Sequence, residues 1–258
     1  MDMTSNTILI TGGGSGIGRG LAEAFHRLGN QVVIAGRRES TLDRVTAANP
    51  GMRAVRLDIE SHDFIRSVGQ QMAAEFPNLN VLINNAGIQR PENLKAPSDD
   101  LADVDAMVTT NLSGPIRLTA ALLPLLRRQP RSTIMNVTSG LAFVPGAGVP
   151  TYSATKAAMH SYTQSLRHQL RNTMTEVIEV IPPYVQTDLG SGHGTDPRAM
   201  PLAEFITEVM TILKDVGNDK EVVVDRCKPL RFAVERGTFN TTFSALNGIA
   251  MPAPVSAC

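Results

Sequence analysis

Residues 7–36 read TILITGGGSGIGRGLAEAFHRLGNQVVIAG, and this stretch decides the fold. A short apolar run, TILI at 7–10, ends in glycines; GRGLAEAFHRLG follows, and a second apolar run, QVVIA, occupies 31–35. In the middle segment apolar residues recur at spacings of three and four, the helical period, whereas the short Val- and Ile-rich runs read as strands. The alternation continues through RAVRL at 53–57, NVLIN at 80–84, STIMNV at 132–137, EVIEVI at 176–181 and EVVV at 221–224. STLDRVTAAN, HDFIRSVGQQMAAEF and GPIRLTAALLPLLRRQ supply helices between them, and Gly29-Asn30 and Asn49-Pro50-Gly51 mark helix ends. Strands separated by crossover helices require a parallel sheet with helices on both faces. Right-handed crossovers then give an α/β, doubly wound sheet of about seven strands.

A chain of 258 residues is long enough to bury one large α/β core, so a single domain over 1–258 is expected. Lysine plus arginine, 24, equals aspartate plus glutamate, 24, and no block of like charge appears, so neither nucleic acid nor an anionic membrane is an expected partner. The cysteines, Cys227 and Cys258, make neither a disulfide framework nor a zinc spacing, and no metal is expected. MDMTSNTILITGGG has no basic flank or cleavage pattern, and no apolar run reaches bilayer length, which suggests a cytoplasmic protein.

In an open parallel sheet ligands bind beyond the carboxyl ends of the strands. There the first strand gives way to TGGGSGIG at 11–18, opening a helix. Gly12, Ser15, Gly16, Ile17 and Gly18 are the candidate cradle for a pyrophosphate: glycine permits the tight turn, and the helix N-terminus favours an anion. A bare glycine turn has the same composition, but its place between strand and helix favours a Rossmann-type nucleotide site. An acid usually ends the second strand of such sites to hold the adenosine ribose. Here IAGRRES puts Gly36 in that position, followed by Arg37 and Arg38. Guanidinium groups suit a 2′-phosphate, so NADP(H) is expected over NAD(H). Asp58, with Ile59 beside it, is a candidate partner of the adenine, and Asn84, Ala86 and Gly87 of NNAG leave room for a ribose.

TYSATKAAMH at 151–160 places Tyr152 and Lys156 four residues apart, on one face of a helix. With TGGGSGIG, NNAG, Asn111 in TTNLSG, Ser139 in NVTSG and YSATK in this order, the chain resembles the classical short-chain dehydrogenases/reductases over about residues 7–190. Ser139 lies 13 residues before Tyr152, as in that family. IPPYVQTDL and PLRFAVERGTFNTTFSALN look like its DltE-type subgroup.

The resemblance implies that Tyr152 gives its proton to a carbonyl oxygen as hydride arrives. Ser139 would hydrogen-bond that oxygen, Lys156 would hold the nicotinamide ribose and lower the phenol pKa from about 10, and Asn111 would support a proton relay. Val185 and Thr187 stand where the family contacts the nicotinamide carboxamide, although Pro183 replaces the usual glycine. Ile88, Gln89, Leu141, Phe143 and Val144 are the candidate substrate pocket, with a substrate loop at about 188–214 whose part 190–201 reads as a mobile loop. Being apolar, that pocket suits a neutral hydrophobic ketone or secondary alcohol; the same residues fit core packing equally well. His193 reads as exposed, and Arg198 as a surface residue able to meet an anion if the loop closes.

The expected activity is that of an NADPH-dependent carbonyl reductase, reversible as an alcohol dehydrogenase. A catalytically silent NADP(H)-binding sensor or scaffold is the alternative, weighed against by the intact Asn111, Ser139, Tyr152 and Lys156. An extended-branch epimerase or dehydratase is disfavoured by the glycine spacing and by the lack of a large C-terminal substrate domain. The helices SGPIRLTAALLPLLRRQ and YSATKAAMHSYTQSLRHQLRN correspond to those through which the family pairs, which implies a homodimer or homotetramer.

Overall fold

The computed structural model describes residues 1–95, 100–189, 196–218 and 220–248. Its first half runs β1 (Thr7–Thr11), α1 (Gly16–Arg27), β2 (Gln31–Gly36), α2 (Glu39–Ala48), β3 (Arg53–Arg56), α3 (His62–Glu75) and β4 (Leu79–Asn84). The second runs α4 (Ala102–Val108), α5 (Gly114–Leu126), β5 (Ser132–Val137), α6 (Pro150–Leu170), β6 (Thr175–Ile181), α7 (Leu202–Leu213) and β7 (Glu221–Val223). Two short helices, α8 (Lys228–Arg231) and α9 (Phe239–Leu246), follow. The seven strands form one sheet in the order β3-β2-β1-β4-β5-β6-β7, and every neighbouring pair is parallel. The order reverses between β1 and β4, which opens a crevice at their carboxyl ends.

Helices cover both faces, so the interior strands are buried on both sides and alternate side chains feed two cores, while the edge strand β3 buries only Val55. Ile8 and Ile10 of β1 join Leu21 and Phe25 of α1 and Phe205 and Val209 of α7. Leu9, pointing the other way, joins Ile65 and Met72 of α3, Leu118 and Leu122 of α5, and Leu166 of α6. β5, beside the central β4, is buried along its whole length. Its Asn136 is tolerated there because it is hydrogen-bonded: Asn84 Nδ2 donates to Asn136 Oδ1 at 2.8 Å and to Thr119 Oγ1 at 3.0 Å, and Asn136 Nδ2 donates to Thr163 Oγ1 at 2.9 Å. This buried chain ties β4 and β5 to α5 and α6.

Three local features depart from the sequence reading. The segment 188–214 is not a loop throughout, because Leu202–Leu213 is helical and buries Phe205, Ile206, Val209 and Leu213 at helical spacing. Within the expected mobile stretch 190–201, residues 190–195, including His193, lie outside the described residues, as does Cys258. Met200, by contrast, pairs with Val185 in an isolated parallel bridge. Finally, α4 and α5 are joined by a π-helical turn, Thr109–Ser113, and Asn111 sits in it rather than in a regular helix. Among the described residues, no helix is long and apolar enough to cross a membrane.

Candidate active site

The crevice is a cavity of about 780 Å³ whose walls come from both halves of the sheet. At one end lies the glycine loop. Gly12 takes φ +67° and Gly16 φ +51°, left-handed conformations that suit glycine. A Cβ on Gly12 would stand 2.9 Å from Asn85 Nδ2, and one on Gly18 would stand 2.4 Å from both Asn85 Nδ2 and the Gly12 carbonyl oxygen. The loop is therefore pressed against the end of β4 with no room for side chains. Thr11 fixes that junction, since its Oγ1 accepts from the Asn85 and Ala86 N–H groups at 3.0 Å. α1 begins at Gly16 with no acid in its first turn, leaving its positive end to face the cavity.

Gly12, Ser15, Gly16, Ile17, Arg37, Arg38, Ile59, Ala86, Gly87, Val185 and Thr187 all line the cavity, as the sequence suggested. Gly36 ends β2 there, and no carboxylate accompanies it on that part of the wall among the described residues. Arg37 Nη1 reaches Glu60 Oε1 at 3.2 Å from a half-exposed position. The glycine cradle, the helix terminus and the paired guanidinium groups fit a dinucleotide carrying an extra phosphate. Three of the expected residues are absent from the cavity wall. Asp58 turns its carboxylate to the Glu60 N–H at 3.1 Å, Asn84 is committed to the buried chain described above, and Gly18 serves loop packing. Asn85, whose Nδ2 donates to the Thr11 carbonyl at 2.9 Å, is the asparagine on the wall. Composition alone could not separate it from Asn84.

Ser139, Tyr152 and Lys156 converge on the cavity from β5 and α6. Ser139 has extended backbone and begins the 3-10 turn Gly140–Ala142, and its Oγ accepts from the Leu141 N–H at 3.1 Å. That leaves the hydroxyl proton free to donate. Pro150 starts α6, and Glu92 caps it from outside: its carboxylate accepts from Thr151 N at 2.9 Å and Thr151 Oγ1 at 2.8 Å. A carboxylate at a helix N-terminus is favourable, and this one sits one residue before Tyr152. Lys156 Nζ donates to the Val137 carbonyl at 2.9 Å and lies 5.6 Å from the centre of the Tyr152 ring.

Asn111 is close to this group without lining the cavity. Its Oδ1 accepts from Ile88 N at 2.8 Å, and its Nδ2 donates to the Ile88 carbonyl at 2.9 Å and to Thr155 Oγ1 at 3.2 Å. The π turn thus aims this amide at the main chain after Gly87 and clamps it to α6. π turns commonly mark functional positions in helices.

Burial sets the charge states. It pushes the Tyr152 phenol up to about 12, with a hydrogen bond from Ser139 acting in the opposite sense, and it pulls the Lys156 ammonium down to about 8. The net shift of the phenol is thus upward, with loss of hydration as its largest cause, and not the lowering expected from Lys156.

On the substrate side, Ile88, Gln89 and Leu141 line the cavity, whereas Phe143 and Val144 do not. Val144 is fully buried, and Phe143 packs edge-on against His160 at 4.6 Å and under the Arg231 guanidinium. Their places are taken by Pro182, Pro183 and Tyr184 and by residues of the C-terminal stretch. The Pro182 carbonyl accepts from Gly140 N at 2.9 Å, so the double proline braces the serine turn. Arg198 also lines the cavity, held by Asp196 at 2.6 Å. His160, Glu179 and Glu221 place ligand-type atoms within 4.8 Å of one another, but each carboxylate has protein partners: Arg231 grips Glu221 at 2.7 Å, and Thr138 and His160 share Glu179 at 2.7 and 2.9 Å.

The family model for short chain dehydrogenases matches residues 6–197. The uncharacterized oxidoreductase DltE of Bacillus subtilis is 39% identical over 251 residues, covering 96% of this chain and 98% of its own. A crystal structure of a short-chain dehydrogenase from Streptomyces avermitilis superposes with a TM-score of 0.81 at 24% identity, covering 95% of this chain and 98% of its own. A Burkholderia cenocepacia short chain dehydrogenase in complex with NADP also gives 0.81, at 25% identity, over 94% of this chain and 99% of that one. The serine, tyrosine and lysine that share one cavity with the glycine loop are thus set in a chain that belongs to the short-chain dehydrogenase family of oxidoreductases, in its DltE-like branch.

Proposed function

We propose that the protein is an NADPH-dependent carbonyl reductase, reversible as an alcohol dehydrogenase, acting on a neutral hydrophobic ketone or the matching secondary alcohol. The observation that carries this reading is the convergence of Ser139, Tyr152 and Lys156 on one wall of a cavity whose other end holds the glycine cradle and Arg37 and Arg38. Structural neighbours solved with NADP and with NAD support a dinucleotide cofactor, and the choice of NADP(H) rests on Arg37 and Arg38. When bound, NADP(H) supplies or accepts the hydride. Tyr152, kept protonated by its burial, holds the proton at its phenol oxygen for delivery to the carbonyl oxygen. Ser139 donates a hydrogen bond to that same oxygen and stabilises the charge it acquires. Lys156, anchored on Val137, supplies a positive charge beside the phenol when it is protonated.

The test is NADPH consumption against a panel of ketones and aldehydes, run beside NADH and beside Tyr152→Phe. Turnover that weakens with NADH and collapses in the variant supports the reading. Tight NADPH binding with no turnover on any substrate would move it to a cofactor sensor. The outer faces of α5 and α6 are proposed to pair two or four copies, and a monomer in light scattering at micromolar concentration would refute that assembly.

A further inference from the structure

The family match stops at residue 197, but the cavity wall does not. Leu230, Ala245 and Leu246 line the cavity, and all three belong to the C-terminal stretch that sequence reading left without a role. That stretch is fastened to the segment following Ser139 at three points. Gly140 lies so close beneath α8 that a Cβ there would stand 2.7 Å from Leu230 Cδ1 and 2.9 Å from Cys227 Sγ. The Arg231 guanidinium covers the Phe143 ring at 4.7 Å while it forks Glu221 at 2.7 and 3.1 Å. Beyond α9, Asn247 Oδ1 accepts from Ala147 N at 2.6 Å, and its Nδ2 donates to the Pro145 carbonyl at 3.2 Å and the Phe243 carbonyl at 2.9 Å.

The polar groups of these fastenings engage protein partners, so what the stretch offers the cavity is alkyl surface. No residue of α9 is buried. Phe239, Phe243 and Leu246 share one face at helical spacing, the two rings stacked at 6.0 Å, and Leu246 is 42% exposed. Of this stripe Leu246 lines the catalytic cavity and the two rings do not. Such a wall recognises its ligand by desolvation alone, and it has no charge or donor for a polar substituent.

We propose that α8 and α9 select the non-reacting part of the substrate, and that this part is an alkyl chain lying along Leu230 and Leu246. Asn247 is the positioning residue that holds α9 against the segment after Ser139. The proposal rests on the carbonyl-reductase reading for the reacting end only; the alkyl subsite stands apart from it.

The experiment compares 2-butanone, 2-hexanone, 2-octanone and 2-decanone with NADPH in the wild type, Leu230→Ala, Leu246→Ala and Asn247→Ala. Calorimetric binding of the matching 2-alkanols to the same proteins runs beside it. In the wild type kcat/KM rises about fourfold per methylene until the chain passes Leu246. Both leucine variants flatten the series, lowering the decanone-to-butanone ratio by about tenfold or more. Asn247→Ala flattens it through KM rather than kcat, and Asn247→Asp, which keeps the acceptor for Ala147, restores part of the slope. A flat wild-type series, or a slope that the variants leave intact, overturns the proposal while turnover itself upholds the reductase reading. If no ketone turns over, the alcohols decide: tighter binding of longer chains that Leu246→Ala erases keeps the subsite and removes the reductase reading, and equal binding removes both. A Leu246→Ala protein that changes its association state in light scattering, with an unchanged chain-length series, makes this face an interface between copies and also overturns the proposal.

Discussion

Lys156 and Tyr152 stand one helical turn apart, yet the ammonium spends its 2.9 Å hydrogen bond on the Val137 carbonyl and not on the phenol, whose ring centre is 5.6 Å away. The lysine is thereby fixed to the end of β5, the strand that also delivers Ser139, and both members of the pair are held by burial in their neutral-leaning states.

That burial has a pH signature. Lys156 titrates at about 8 when folded against 10.5 ordinarily, so between these values the unfolded chain binds a proton that the folded chain lacks. Stability therefore rises with pH across this window, by up to about 3 kcal/mol from this group. Tyr152, raised to about 12 from 10.0, acts with the opposite sign, and its contribution falls as pH climbs from 10 to 12. Thermal melts without added nucleotide should show Lys156→Met more stable than wild type at pH 7, with the advantage shrinking by pH 10. An advantage that is constant with pH would contradict the buried-charge account.

Tyr152→Phe removes the proton donor while keeping the ring that fills the wall. The expected loss in kcat is roughly 10²–10⁴-fold, with NADPH affinity by fluorescence titration retained. Ser139→Ala, which removes one donor to the same oxygen, should cost about 10²-fold or more.

Arg37 and Arg38 should act on cofactor choice and not on chemistry. Replacing both with alanine removes two charge-assisted contacts and should narrow the NADPH-over-NADH ratio in kcat/KM by about 10–100-fold, mostly through KM. Because Arg37 also meets Glu60, single variants should divide the effect unevenly, with Arg38 carrying more of it. Equal rates with both cofactors in the wild type would remove the basis for the assignment.

Asn84→Ala should be a stability variant. It strips the donor from Asn136 Oδ1 and Thr119 Oγ1 in the sealed space between β4 and β5. The cost of about 1–3 kcal/mol per abandoned group should appear as a Tm several degrees lower, with nucleotide affinity little changed. A variant with wild-type Tm and weakened nucleotide binding would return Asn84 to the cofactor site.

Strand positions were legible because every strand but the edge strand β3, where only Val55 is buried, is an apolar run, and each observed strand lies within a residue or two of its run. The glycine loop, Arg37, Arg38, Ser139, Tyr152 and Lys156 were legible because their spacing along the chain carries the chemistry. What escaped reading depends on contacts between distant segments. Asn84 and Asn85 are indistinguishable until the twist of β4 turns one inward and the other toward Thr11. Glu92 caps α6 across 59 residues, and Asn247 reaches Ala147 across 100, so no local pattern announces either. α7 shows the opposite failure: its helical period was present in Phe205, Ile206, Val209 and Leu213 and was masked by the glycine-rich segment before it.

The π turn at Thr109–Ser113 also constrains how the gene can change length. Such a turn is an α-helix carrying one surplus residue, so α4 and α5 are a single rod with a phase slip between them. Deleting a residue there would restore an unbroken α-helix and leave the downstream helix in phase, so Leu118, Leu122 and Leu126 would still face the core they fill. Asn111, inside the turn, would lose the local geometry that aims its amide at Ile88. Substitutions in this segment can be absorbed one at a time, but a one-residue deletion would uncouple the asparagine from the helix that supports the sheet.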